Sequence, residues 1–122
     1  MKNYFKIYSF LLLFCIYLPD FGAIDMNVSQ WLYISVINTF FLAFLGFTNN
    51  LEIKRVIKNK SFLFFLLFFI FSIVSVVKSI NYAESILRLN EFFAVFCSLF
   101  LLINFYLRKA VNYKFILILF SF

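Results

Sequence analysis

From Ser61 to Val77 the chain reads SFLFFLLFFIFSIVSVV, with no charge and only serines among its apolar side chains. As a helix, at about 1.5 Å per residue, such a run covers most of the ~30 Å hydrocarbon core of a bilayer. A second run, Trp31 to Phe47, reaches full thickness when Val28 to Gln30 extend it. A third, Phe92 to Leu107, is bounded by Glu91 on one side and by Arg108 and Lys109 on the other. With 66% hydrophobic and 13% charged residues, a soluble fold of 122 residues would expose much of its 22 Phe to water. Lipid is the solvent that this sequence requires.

Backbone N–H and C=O groups in hydrocarbon must bond within the protein, so these runs are expected to be helices. The expected fold is all-α: one polytopic transmembrane bundle over residues 1–122, with complete spans near 4–19, 28–47, 61–77 and 82–107. An incomplete fifth is expected at 113–122, where the apolar run from Phe115 is still continuing at Phe122 and is too short to cross. We read this as a chain cut off inside that span. The first run, Ile7 to Leu18, follows Lys2 and Lys6 and is closed by Pro19 and Asp20. Those features also describe a secretory signal peptide, but cleavage after Ala23 would put bulky Phe21 where a small residue is wanted. A retained span is the better reading, provided Lys6 snorkels to the interface.

Charge sets the expected orientation. Lys2, Lys6, Lys54, Arg55, Lys58, Lys60, Arg108, Lys109 and Lys114 fall on one side of the runs; the other side has Lys78 and Arg88 with Asp20, Asp25, Glu84 and Glu91. The positive-inside rule puts the N-terminus and the basic loops in the cytoplasm. Aromatic residues agree, with Tyr4, Tyr8, Tyr106 and Tyr113 expected at the inner boundary and Tyr17, Trp31, Tyr33 and Tyr82 at the outer one. The net charge of +6 does not indicate nucleic-acid binding, because the cations lie between apolar runs and form no basic face interleaved with aromatics.

Two connections carry helical signals. Asn49 followed by Glu52 has capping-box spacing, and beyond it Ile53, Val56 and Ile57 are expected to face lipid while Lys54, Arg55 and Lys58 face headgroups. Asn81 followed by Glu84 repeats the spacing, and Tyr82, Ile86, Leu89 and Phe93 then recur at helical intervals, so the fourth span is expected to start outside the hydrocarbon. There Arg88 can pair with Glu84 or Glu91 along one helical stripe.

The chain has no His and only five carboxylates, none deep in a span, so catalytic-triad and metal chemistry have no residues to stand on and no cofactor is implied. Cys15 and Cys97 lie in separate apolar runs and are read as packing or lipid-facing residues. Asn38, Thr39, Ser72, Ser75 and Asn104 are the polar groups within spans, best explained by interhelical hydrogen bonds. The candidate binding residues are Arg88 and Lys78, two cations at headgroup depth on a cation-poor side, where a lipid-borne phosphate would arrive. The competing reading is a solvated face in which Glu84 and Glu91 neutralise Arg88.

The segments DMNVSQWLYISVIN, residues 25–38, and SINYAESILRLNEFF, residues 79–93, resemble the opening of bacterial O-antigen ligase and polymerase family proteins. The likeness rests on Leu32, Tyr33, Ser35 and Asn38 after an acidic loop, and on Asn81 and Glu84 entering a later span. It implies a multi-pass inner-membrane transferase acting at the periplasmic face on polysaccharide carried by a polyprenyl diphosphate. The family's functional Arg and His residues lie mainly in a large loop farther downstream, so no catalytic residue carries over and this chain alone is expected to be inactive. The partners expected are membrane lipids and a polyprenyl diphosphate-linked glycan. The alternative is a fragment of a multi-pass transporter or of a non-catalytic accessory membrane protein.

Overall fold

The computed structural model describes residues 1–17 and 28–111. All regular structure among them is helical: α1 (Lys2–Phe14), a 3₁₀ turn at Cys15–Tyr17, α2 (Val28–Phe47), α3 (Ile53–Ile57), α4 (Lys60–Val77) and α5 (Tyr82–Leu107). Three helices, α2, α4 and α5, are long and apolar enough to cross a membrane. Of the expected crossing by residues 4–19, the described part holds α1, whose 13 residues make about 20 Å of helix, and the tighter turn at Cys15–Tyr17; residues 18 and 19 lie outside the described residues. A local reason for the tighter turn lies in the sequence: Pro19 has no N–H to donate to the carbonyl of Cys15, four residues earlier. The expected fifth span at 113–122 and the acidic loop around Asp20 and Asp25 lie outside the described residues.

α5 holds the bundle together. It packs antiparallel to α4 through phenylalanines: Phe62 meets Phe96 and Phe100 at 5.1 and 5.7 Å between ring centroids, and Phe69 meets Phe96 and Phe92 at 5.1 and 6.1 Å. Lipid tails are as apolar as these rings, so this contact is held by close packing and ring–ring geometry and gains little from expulsion of water. α2 runs parallel to α5 on another side, and α1 lies antiparallel to α2. Phe5, Tyr8, Ile37, Phe41, Leu45, Leu101, Phe105 and Ala110 form the buried cluster where α1, α2 and α5 meet. Tyr8 sits edge-on to Phe41 at 4.9 Å, and Phe5 edge-on to Phe105 at 5.8 Å.

Tyr8 was expected at a membrane boundary, and the structure corrects this. Its ring is fully buried and its hydroxyl donates to Asn38 Oδ1 at 2.8 Å. Asn38 Nδ2 in turn donates to the Ala94 carbonyl at 2.8 Å and to Ser98 Oγ at 2.9 Å. A tyrosine, an amide and a hydroxyl from three helices thus satisfy one another in an apolar interior, where an unpaired polar group would cost about 1–3 kcal/mol. Asn38 and Asn104 make the interhelical or helix–loop bonds expected of them, whereas Thr39 and Ser72 donate to carbonyls of their own helices.

The basic end is built on helix termini. α2 and α5 both close with a residue in the left-handed region, Asn49 at φ 52° and Lys109 at φ 53°. In each the following N–H reaches back to a carbonyl five residues earlier: Asn50 to Leu45 at 2.8 Å and Ala110 to Phe105 at 3.0 Å. The expected capping box between Asn49 and Glu52 is therefore absent, because Asn49 terminates α2 and cannot also start α3, which begins after Glu52 without a side-chain cap. Val56, expected to face lipid, is fully buried, while Ile53 and Ile57 are half exposed. The loop is anchored to α5 instead. Asn104 Oδ1 accepts from the Glu52 backbone N–H at 2.8 Å, and Glu52 pairs with Arg55 at 2.9 Å and with Arg108 at 3.4 Å. α4 then starts from Asn59, whose side chain accepts from the Ser61 N–H at 3.0 Å.

The outward surfaces of the long helices are apolar. Phe64, Phe68 and Phe71 on α4, Leu32 and Phe40 on α2 and Phe93 on α5 are all exposed. Such a belt exceeds the apolar patches that water-soluble monomers carry and is compatible with a membrane protein.

Candidate functional site

At the end of the bundle opposite the basic loops, α5 begins with a polar turn. Asn81 caps it: its Oδ1 accepts from the Glu84 N–H at 3.4 Å, the half of the capping box that the spacing predicts, while Glu84 Oε2 accepts from the Asn81 side-chain Nδ2 at 3.1 Å instead of from its backbone N–H. One turn farther on, Arg88 Nη1 pairs with Glu91 Oε2 at 3.1 Å. Of the two candidate partners for Arg88, Glu91 forms an ion pair with it, while Glu84 is engaged by Asn81. The Arg88 side chain remains 59% exposed, so this pair is solvent-screened and contributes about 0–1 kcal/mol.

Two cavities flank this turn. One, of about 390 Å³, lies between α4 and α5; Ser72, Ser75 and Ser85 line it with Glu84 and Arg88, and Phe92 closes its apolar side. The other, of about 450 Å³, lies between α2 and α5 and is lined by Trp31, Leu32, Ser35, Leu87 and Asn90 together with Glu84, Arg88 and Glu91. Arg88 and Glu84 are common to both, because two residues one turn apart project from the ridge that separates them.

The structure places the two sequence-derived candidates differently. Arg88 borders both cavities, whereas Lys78, at the C-terminal cap of α4, lines neither. Trp31, Ser75, Ser85 and Asn90 were not singled out for chemistry, although Trp31 was expected at this boundary. No signal in the sequence joins them, since they come from three helices. Cys15 and Cys97 are free thiols that line neither cavity: Cys15 is buried, with its Sγ 3.6 Å from the Gln30 carbonyl, and Cys97 is half-buried.

No protein-family model, curated protein or solved structure matches this chain.

Proposed function

We propose that this chain belongs to the membrane domain of a lipid-linked polysaccharide ligase or polymerase, which transfers glycan from a polyprenyl diphosphate carrier at the periplasmic face of a bacterial inner membrane. In this reading residues 4–19 make a first crossing, α2, α4 and α5 make three more, and residues 113–122 begin a fifth. The N-terminus and the basic end are cytoplasmic, as the distribution of Lys and Arg favours. Arg88 binds the carrier's diphosphate, with Lys78 as a second cation on the same side, and the catalytic groups are supplied from outside these residues.

The observation that carries the reading is the position of Arg88 on the ridge between two lateral cavities at the cation-poor end. A planar guanidinium there can hold two phosphate oxygens at once while a lipid tail lies along the apolar helix faces. The ion pair with Glu91 favours a second reading, in which Arg88 is a paired surface charge and the chain is part of a transporter or a non-catalytic accessory protein. The test is glycan transfer by the full-length parent carrying Arg88→Lys or Arg88→Gln, at matched protein level. Bidentate binding predicts that Arg88→Lys impairs transfer, because an ammonium cannot reproduce the fork. Normal transfer by both variants would remove Arg88 from the site.

A further inference from the structure

The two sides of the Arg88 ridge differ in charge. On the α4 side, Arg88 faces one carboxylate, Glu84, which Asn81 already engages, and three serine hydroxyls complete the lining. Ser72 and Ser85 donate to the carbonyls of Phe68 and Asn81, and the Ser75 hydroxyl makes no hydrogen bond to another described residue. Among the described residues that line the α2 side, Glu84 and Glu91 face the one cation Arg88, leaving one carboxylate in excess. A phosphate entering there would meet two carboxylates at close range, whereas on the α4 side it would meet the uncommitted hydroxyl of Ser75 and one carboxylate. The charge balance therefore sends an anion to the α4 side.

What the α2 side offers is the complement of a neutral, hydroxyl-rich ring. Trp31 supplies a broad aromatic face whose negative quadrupole attracts the weakly positive C–H edges of a saturated ring. The Asn90 amide can donate and accept at once and makes no hydrogen bond to another described residue. Glu91 accepts from a hydroxyl with the oxygen lone pairs that Arg88 leaves over. At about 450 Å³ the cavity falls in the range of small-molecule sites, roughly 300–1,000 Å³.

We infer that the α2–α5 cavity is the subsite for the sugar nearest the phosphate of a membrane-anchored glycolipid, with Trp31 stacking on the ring and Asn90 and Glu91 bonding its hydroxyls. The inference rests on the reading that Arg88 receives the phosphate, which then lies on the α4 side of the ridge.

Trp31 is the chain's one tryptophan, so its emission reports on this cavity alone. The full chain in phosphatidylcholine nanodiscs is titrated with a short-chain polyprenyl phosphate, either bare or carrying one hexose on the phosphate. The hexosyl lipid is expected to change Trp31 emission saturably and to bind about tenfold more tightly than the bare lipid, the size of one or two well-made hydrogen bonds. The bare lipid is expected to compete without changing the emission. Asn90→Ala should abolish the preference for the hexosyl lipid, and Arg88→Gln should weaken both lipids alike. Equal affinities with unchanged emission would overturn the sugar subsite while leaving the phosphate reading intact, provided that Arg88→Gln still weakens binding. An emission change with the bare lipid as large as with the hexosyl lipid would put the phosphate in this cavity and overturn the assignment. Failure of both lipids to bind would overturn both readings.

Discussion

Tyr8, Asn38 and Ser98 form the one buried polar cluster among the described residues that links three helices, and each contributes an atom another needs. Tyr8→Phe removes a donor and leaves Asn38 Oδ1 with Ser98, so it should destabilise the bundle by about 0.6–1.7 kcal/mol, the range for hydrogen bonds inside membrane bundles. Asn38→Leu should cost more, about 1–3 kcal/mol, because it strands the Tyr8 hydroxyl in an apolar interior. Equilibrium unfolding in mixed micelles ranks the two, and an Asn38→Leu variant as stable as the parent would dissolve the cluster's structural role. In sequence, Asn38 was legible as a polar group needing a partner, but Tyr8 was not legible as that partner. A tyrosine two turns from a basic N-terminus has the local signature of a headgroup anchor, and only the approach of α1 to α2 and α5 makes it a core residue.

The long helices were legible because their signal is local. Uncharged runs define α2, α4 and the C-terminal end of α5 to within a residue, and the Asn81–Glu84 pair marks the start of α5 in both sequence and structure. The Asn49–Glu52 pair has identical spacing and a different outcome. With only two glycines in the chain, asparagine is the residue left to close α2 in the left-handed region. Asn49→Gly should therefore be tolerated, whereas Asn49→Val, β-branched at φ 52°, should cost about 1–2 kcal/mol in the same unfolding assay. Equal stability of the two variants would show that the left-handed closure is not needed. On α4, Phe68 is 54% exposed midway along the helix. Phe68→Lys should cost about 3 kcal/mol in a translocon insertion assay, and wild-type insertion would mean that α4 is not centred in hydrocarbon.

The whole molecule has two chemically distinct ends. Contacts of Tyr4 with Phe44 and of Phe5 with Phe105 bring the N-terminus beside the loop that carries Lys54, Arg55 and Lys58 and beside Lys109, so these cations share one end. The carboxylate described at that end, Glu52, is engaged by Arg55 and Arg108, which leaves the basic character of the surface largely intact. At the other end Arg88 stands between a cavity whose described lining is charge-balanced and one with a carboxylate in excess. Counting charges between runs was enough to foresee the asymmetry, but not the cavities, which are lined by residues that different helices bring together. The proposed function depends on which end faces outward. Single cysteines introduced by Lys58→Cys and Lys78→Cys, on a background in which Cys15 and Cys97 are alanine, can be probed in intact spheroplasts with a membrane-impermeant maleimide. The account predicts labelling at position 78 and none at position 58 until the membrane is opened; labelling at position 58 from outside, with position 78 protected, would contradict it.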